Sequence, residues 1–167
     1  LESVVYAGNA HEGHLKGWFR RGEIEGQLMA AVDGDEGAFR LRKGWFLGDG
    51  TGCGKGRQVA GIILDNWLQG RRRAVWVSKS DKLIEDARRD WMALGGRESD
   101  IVPLSKFRQG SDIRLPEGIL FVTYATLRSA EREGKASRLD QVTSWLGEGF
   151  DGVIAFDESH AMANAAG

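Results

Sequence analysis

The sequence has one cysteine, two prolines and no clear excess of either charge. The single cysteine, Cys53, excludes an internal disulfide and suits a reducing compartment. A formal net charge of −1 argues neither for nor against a nucleic-acid partner, because a small basic stripe can lie within a neutral total. No apolar run approaches the roughly 18 residues of a membrane span, and no signal-peptide pattern opens the chain. We therefore expect no membrane partner.

The remaining composition is that of a folded domain. Hydrophobic residues make up 41% and charged residues 28% of the 167 positions, which suffices for one domain with its own core. The chain begins with Leu1 rather than methionine and ends in Ala-Ala-Gly. We therefore expect it to be a fragment of a longer protein.

Short apolar runs alternate with amphipathic helical patterns from Gly44 onward. Apolar strands between amphipathic helices predict an α/β fold, with a parallel β-sheet covered by helices on both faces. We assign residues 44–167 to this core. Residues 1–43 are assigned to a helical segment of the same lobe, whose glycines weaken any single long helix. The predicted strands are Trp45–Leu47, Ala74–Val77, the Pro-interrupted edge strand Ile101–Leu104, Ile119–Tyr124 and Val153–Phe156.

The stretch GDGTGCGKGRQ, residues 48–58, lies between a predicted strand and a predicted helix. Glycines let successive backbone N–H groups approach phosphate oxygens closely, the helix start adds partial positive charge, and Lys55 reaches the terminal phosphates. The alternative is a glycine-rich turn that merely joins strand to helix. The predicted phosphate-binding residues are Gly50, Thr51, Gly52, Cys53, Gly54, Lys55, Gly56 and Arg57.

Position 56 lacks the serine or threonine that usually follows the lysine of such a loop and ligates Mg²⁺. Gly56 has no hydroxyl, so that contact is replaced by water, by Thr51 or by nothing. Arg57 either faces the phosphates or points into solvent. These alternatives remain open at the level of sequence.

A second candidate site is GVIAFDESH, residues 152–160, where a strand ends in two carboxylates. Asp157 is predicted to hold Mg²⁺ and Glu158 to orient or deprotonate the attacking water. The alternative is a surface loop that happens to contain two acids. Together with the glycine loop, this segment predicts a nucleotide hydrolase.

These two segments resemble the strawberry notch proteins, helicase-like ATPases of superfamily 2. The resemblance is carried by FLGDGTGCGKGRQVAGII (46–63) and FDGVIAFDESHAMAN (150–164), and Gly-Lys-Gly-Arg is its distinguishing mark. It implies the first RecA-like lobe of a P-loop NTPase that uses ATP and Mg²⁺. The Asp-Glu-x-His box implies that His160 couples the nucleotide site to the rest of a motor.

The resemblance also implies partners. They are nucleic acid, DNA rather than RNA, and a second RecA-like lobe with arginine fingers in the same longer chain. Bacterial and phage members, which would be cytoplasmic, can carry a methyltransferase region, and animal members are nuclear. Residues 74–91 and 121–129 resemble segments that grip the nucleic-acid backbone. The candidate contacts there are Ser78, Lys79, Ser80, Thr123, Tyr124 and Thr126.

Two functions remain in competition. The first is the ATP-hydrolysing lobe of a DNA-stimulated translocase or helicase, and the second is a scaffold that binds nucleotide or DNA without turnover. A phosphotransferase is disfavoured because residues 157–160 offer no evident acceptor site. For the isolated lobe we expect weak nucleotide binding and negligible turnover.

Three weaker patterns have ordinary explanations. The His11-x-x-His14 spacing suggests a metal, but a solvated loop is the default because no third ligand is near in sequence. Arg71–Arg73 are assigned to a solvated helix end rather than to phosphate contacts. Trp67 and Trp91 lie on apolar helix faces and are assigned to the core rather than to base stacking.

Overall fold

The computed structural model describes residues 1–24, 27–48, 52–128 and 136–160. The chain divides into two compact units, Leu1–Thr51 and Gly52–Gly167. The first unit contains helix α1 (Glu2–Glu12) and an antiparallel hairpin of β1 (Trp18–Arg21) and β2 (Leu28–Ala31).

The helical prediction for residues 1–43 is correct only for α1. Beyond it, Trp18 pairs with Ala31 and Arg21 with Leu28, and Phe19 forms a further antiparallel bridge with Phe39. Gly17 has a φ of 97°, a conformation that a helix cannot continue through and that glycine adopts without strain. Phe19, Leu28 and Met29 therefore belong to paired strands rather than to a helix.

The predicted strand at Trp45–Leu47 is also wrong. These residues form no strand, and the side chain of Phe46 is 80% exposed. The Trp45 ring instead lies 6.1 Å from the Tyr6 ring of α1. An aromatic contact within the first unit takes the place of the predicted sheet pairing.

The second unit confirms the α/β prediction. Its four strands, all paired in parallel, follow the order β4-β5-β3-β6. They are β3 (Arg73–Ser78), β4 (Ile101–Pro103), β5 (Gly118–Thr123) and β6 (Val153–Phe156), and the helices are α2 (Lys55–Leu68), α3 (Ile84–Met92), α4 (Tyr124–Leu127) and α5 (Arg138–Leu146).

Helices cover both faces of this sheet. On one face α2 and α3 bury Ile63 and Trp91 against Trp76 and Phe121. On the other, α5 buries Trp145 among side chains that alternate with those along β3 and β5. Trp67 contacts Trp91 edge-to-face at 5.5 Å, which confirms that both belong to the core. Pro103 lies on the edge strand, as predicted.

The predicted arginine cluster lies at the amino-terminal edge of the sheet, beside the start of β3. Arg71 pairs with Asp151 at 3.0 Å and Arg72 with Glu117 at 3.3 Å. Arg73 donates to the carbonyl oxygen of Trp145 at 2.7 Å. The cluster therefore lies between the end of α2 and the start of β3 rather than at a helix end, and its side chains bond neighbouring segments at the edge opposite to the carboxyl ends of the strands. Among the described residues, no helix is long and apolar enough to cross a membrane.

Asp100 fastens the loop between α3 and β4. It accepts hydrogen bonds from the Trp91 indole at 3.0 Å and from the Arg97 backbone N–H at 2.8 Å, and its side chain is 9% exposed. Burial alone would raise the pKa of Asp100, but these hydrogen bonds and the Arg97 guanidinium outweigh it and lower the pKa below the ordinary 3.8.

We expect Asp100→Asn to reduce the free energy of unfolding by about 1–3 kcal/mol at neutral pH, because an amide nitrogen replaces one charged acceptor. A lowered folded-state pKa stabilises the fold above the unfolded-state pKa, and this contribution is lost as pH falls through the folded-state value. Urea unfolding across acidic pH should therefore show a shallower acid loss in the variant. The exposed Asp112→Asn is the control, and equal acid loss in all three proteins would contradict the prediction.

Candidate functional site

Asp157 directly follows β6, at the carboxyl edge of the sheet. Its backbone N–H donates to the carbonyl oxygen of Val77 at 2.8 Å, which extends the pairing of β6 with β3. The Ser78 hydroxyl donates to Oδ2 of Asp157 at 3.4 Å, and the Tyr124 hydroxyl donates to its backbone carbonyl at 2.8 Å. The end of β3 and the first residue of α4 therefore hold Asp157 in place, and Ser78 bonds its carboxylate.

Glu158 has the only positive φ of a non-glycine residue in the described chain, at 53°. Left-handed backbone is unfavourable for a side chain with a Cβ, and such strain is concentrated at functional sites. Nδ1 of His160 lies 3.3 Å from Oε2 of Glu158. The carboxylate of Glu158 is therefore positioned by a strained backbone, and His160 of the same segment contacts it.

The described part of the glycine loop leads directly into α2. Gly54 caps the helix with a φ of 69°, and Gly52 has a φ of 84°, so both use backbone conformations that favour glycine. The Gln58 side chain donates to the Cys53 carbonyl at 3.2 Å, which fastens the loop to the first helical turn. Gly50 and Thr51 lie outside the described residues, and so does the predicted role of Thr51 as a substitute ligand.

The fold lets the charge of Lys55 act on Asp157, although the two residues are far apart in sequence. Burial and the neighbouring Glu158 raise the pKa of Asp157, while the Ser78 hydroxyl, the Glu158 N–H and the Lys55 ammonium act in the opposite direction. Asp157 and Glu158 in turn add to burial in raising the pKa of Tyr124. The ammonium of Lys55 and the half-buried carboxylate of Asp157 therefore interact electrostatically at the carboxyl edge of the sheet.

Arg57 turns toward α3. Its Nε donates to Oδ1 of Asp90 at 3.2 Å, and its Nη2 lies 3.2 Å from the same oxygen. A Cβ built on Gly56 would lie less than 3.0 Å from Oδ2 of Asp90, closer than real Cβ atoms approach a neighbour. Neither sequence alternative for Arg57 included this pairing.

The candidate nucleic-acid contacts divide into two groups. Ser78, Thr123 and Tyr124 are buried, and their hydroxyls bind Asp157 or, for Thr123, the Thr126 N–H at 3.2 Å. The structure therefore places these three inside the unit. The other group is at least partly exposed. Lys79 is exposed, Thr126 is half-buried, and Ser80 caps the turn before α3 by accepting from the Lys82 N–H at 3.3 Å.

Sequence reasoning missed Asp90, Gln58 and the supporting role of Ser78 and Tyr124. Ser78 ends β3 and Tyr124 directly follows β5, and a polar residue at the carboxyl end of an apolar strand is a signal that could have placed both beside Asp157. For Asp90 the sequence holds no signal, since its contacts cross between two helices. His11 lies in α1 rather than in a loop, and no group of three or more potential ligands for a metal occurs in the described ranges.

The whole chain, residues 1–167, matches the family described as P-loop containing NTP hydrolase pore-1. The chain belongs to this family. The family implies nucleotide binding, typically with Mg²⁺.

Its relatives include the strawberry notch proteins, as the resemblance predicted. The chain is 37% identical to Protein FORGETTER 1 of Arabidopsis thaliana and 38% identical to Protein strawberry notch of Drosophila melanogaster, each over 98% of its length. It is 47% identical to Protein strawberry notch homolog 2 of Mus musculus over 74% of its length. The matches cover 11%, 9% and 9% of those relatives, respectively. No solved structure matches the chain.

The residues present fit a magnesium ion. Asp157 and Glu158 are adjacent carboxylates whose mutual repulsion helps raise the pKa of Asp157, and hard oxygen donors of this kind are what Mg²⁺ prefers. Asp157 would hold the ion together with phosphate oxygens. When bound, Mg²⁺ neutralises charge that develops on the phosphates.

Proposed function

We propose that this chain is the ATP-binding and ATP-hydrolysing lobe of a nucleic-acid-dependent motor of the helicase or translocase type. The observation that carries the proposal is the electrostatic interaction of Lys55, at the start of α2, with Asp157 at the carboxyl edge of a parallel sheet. Ligands of open α/β folds bind at this edge, and phosphates bind where a glycine loop opens a helix.

The roles divide among the residues by their chemistry. Lys55 binds the terminal phosphates as a point charge, and Gly52 and Gly54 allow the backbone N–H groups to approach them. Asp157 holds Mg²⁺, and Glu158 orients the attacking water and accepts its proton. His160, in contact with Glu158, passes the state of the nucleotide to the rest of the motor.

The proposal of a nucleic-acid partner rests on fewer observations than the proposal of a nucleotide site. Lys79 is exposed directly after β3, and Ser80 caps the next turn, so both lie at the carboxyl edge of the sheet, as Asp157 does. We propose that they contact the backbone of DNA rather than RNA. A second RecA-like lobe would complete the site, and the place of action would be the nucleus in a eukaryote and the cytoplasm in a bacterium or phage.

Phosphate release from ATP by the full-length protein tests this function. The assay is run with Mg²⁺ alone, with added duplex or single-stranded DNA, and with RNA. A motor hydrolyses ATP faster when DNA is present, and the isolated lobe should show negligible turnover because arginine fingers contribute about 10³–10⁵ in rate. Nucleotide binding with no turnover under any of these conditions would instead support the scaffold function.

A further inference from the structure

Asp90 occupies an unusual place for a carboxylate. It lies near the end of α3, where a helix dipole favours cations, yet its side chain is only 16% exposed. The first turn of α2 contains no acidic residue of its own. The negative charge of Asp90 is therefore unfavourable at the end of its own helix, α3, but favourable at the start of α2.

The carboxylate contacts two consecutive residues that follow Lys55. Oδ2 lies where a Cβ on Gly56 would make a contact under 3.0 Å, and Oδ1 accepts from Arg57 at 3.2 Å. A larger residue at position 56 could be accommodated only if Asp90 rotated away. That rotation would break the pair with Arg57, because the same carboxylate makes both contacts.

We propose that Asp90 is a positioning residue of the phosphate-binding site. Its carboxylate takes the space of the side chain that Gly56 lacks, holds Arg57 away from the phosphates, and so sets the conformation of the first turn of α2. The inference rests on the proposed function, because it concerns how Lys55 and the adjoining N–H groups are presented to nucleotide. It also explains why glycine follows the lysine here: α3 fills the position that a hydroxyl would use.

A double-mutant cycle tests the assignment in the full-length protein. Nucleotide affinity is measured by calorimetric titration with ADP and with a non-hydrolysable ATP analogue, well below the melting temperature of every variant. We expect Gly56→Ser and Asp90→Ala each to weaken binding about tenfold, corresponding to the loss of one charged hydrogen bond. The double variant should bind better than either single variant, because the serine then fills the space that Asp90 has left.

Two further variants separate positioning from simple stabilisation. Asp90→Asn keeps the shape and an acceptor for Arg57, so it should weaken binding less than Asp90→Ala. Asp86→Ala removes an acid from the same helix, one that pairs with Arg89 at 2.9 Å, and should leave the affinity unchanged.

The outcomes are distinguishable. The role of Asp90 would be overturned if Asp90→Ala bound nucleotide as tightly as the wild-type protein. It would also be overturned if the free-energy effects of the substitutions at positions 56 and 90 on binding simply added. Absence of nucleotide binding by the wild-type protein would refute the proposed function, and the positioning role with it. In that case thermal melting of the same four proteins would still report whether Gly56 and Asp90 interact sterically.

Discussion

Replacing Glu158 with glutamine is expected to lower ATP turnover by about 10²–10⁴-fold, with little change in the affinity for ATP. Glutamine keeps the size of the side chain and can still contact His160, but it cannot accept a proton from the attacking water. The left-handed backbone at φ 53° is equally unfavourable for both residues, so the fold should be affected alike. Turnover is measured by phosphate release in the presence of DNA, and affinity by titration.

The control for this variant is Glu148→Gln, an exposed acid in the loop that precedes β6, at the other edge of the sheet. It should turn over ATP at the wild-type rate. Unchanged turnover in Glu158→Gln would remove Glu158 from the reaction and favour a scaffold that only binds nucleotide. Loss of both turnover and binding would show that the carboxylate supports the site rather than the hydrolytic step.

Replacing Lys55 with alanine is expected to weaken ATP binding by about 10–100-fold, because it removes charged hydrogen bonds to the terminal phosphates. ADP, which lacks the third phosphate, should lose less affinity. A second consequence follows from the electrostatic interaction of Lys55 with Asp157. Without the lysine ammonium nearby, the negative charge at the strand end is less compensated, and binding should depend more strongly on Mg²⁺.

Calorimetric titration with ATP and ADP, with and without Mg²⁺, measures these effects. Lys106→Ala is the matched control, since this exposed lysine follows the edge strand β4, three strands away from β6. Equal binding by Lys55→Ala and the control would mean that the glycine loop joins strand to helix and holds no phosphate.

Local patterns predicted the second unit well and the first unit poorly. From α2 onward each apolar run became a parallel strand and each amphipathic run a helix, because short buried strands and one-sided helices carry distinct periodicities. In the first unit, frequent glycines interrupt the hydrophobic pattern, so neither a helical nor a strand periodicity extends far along the chain. There, Trp45 packs on Tyr6 and the hairpin forms around Trp18 and Ala31, which are contacts that no local pattern encodes.

The sequence by itself determined the α/β class, the glycine loop with Lys55, the Asp157–Glu158 strand end and the family to which they belong. The class follows from the alternation of apolar and amphipathic runs, and the two site segments are each a few consecutive residues whose chemistry can be recognised without their surroundings. Only the tertiary structure decided that Ser78 and Tyr124 support Asp157 instead of facing solvent, and that Asp90 lies against Gly56 and Arg57. Those contacts join residues from different strands and helices, so their partners are set by how the elements pack and not by the order of the chain.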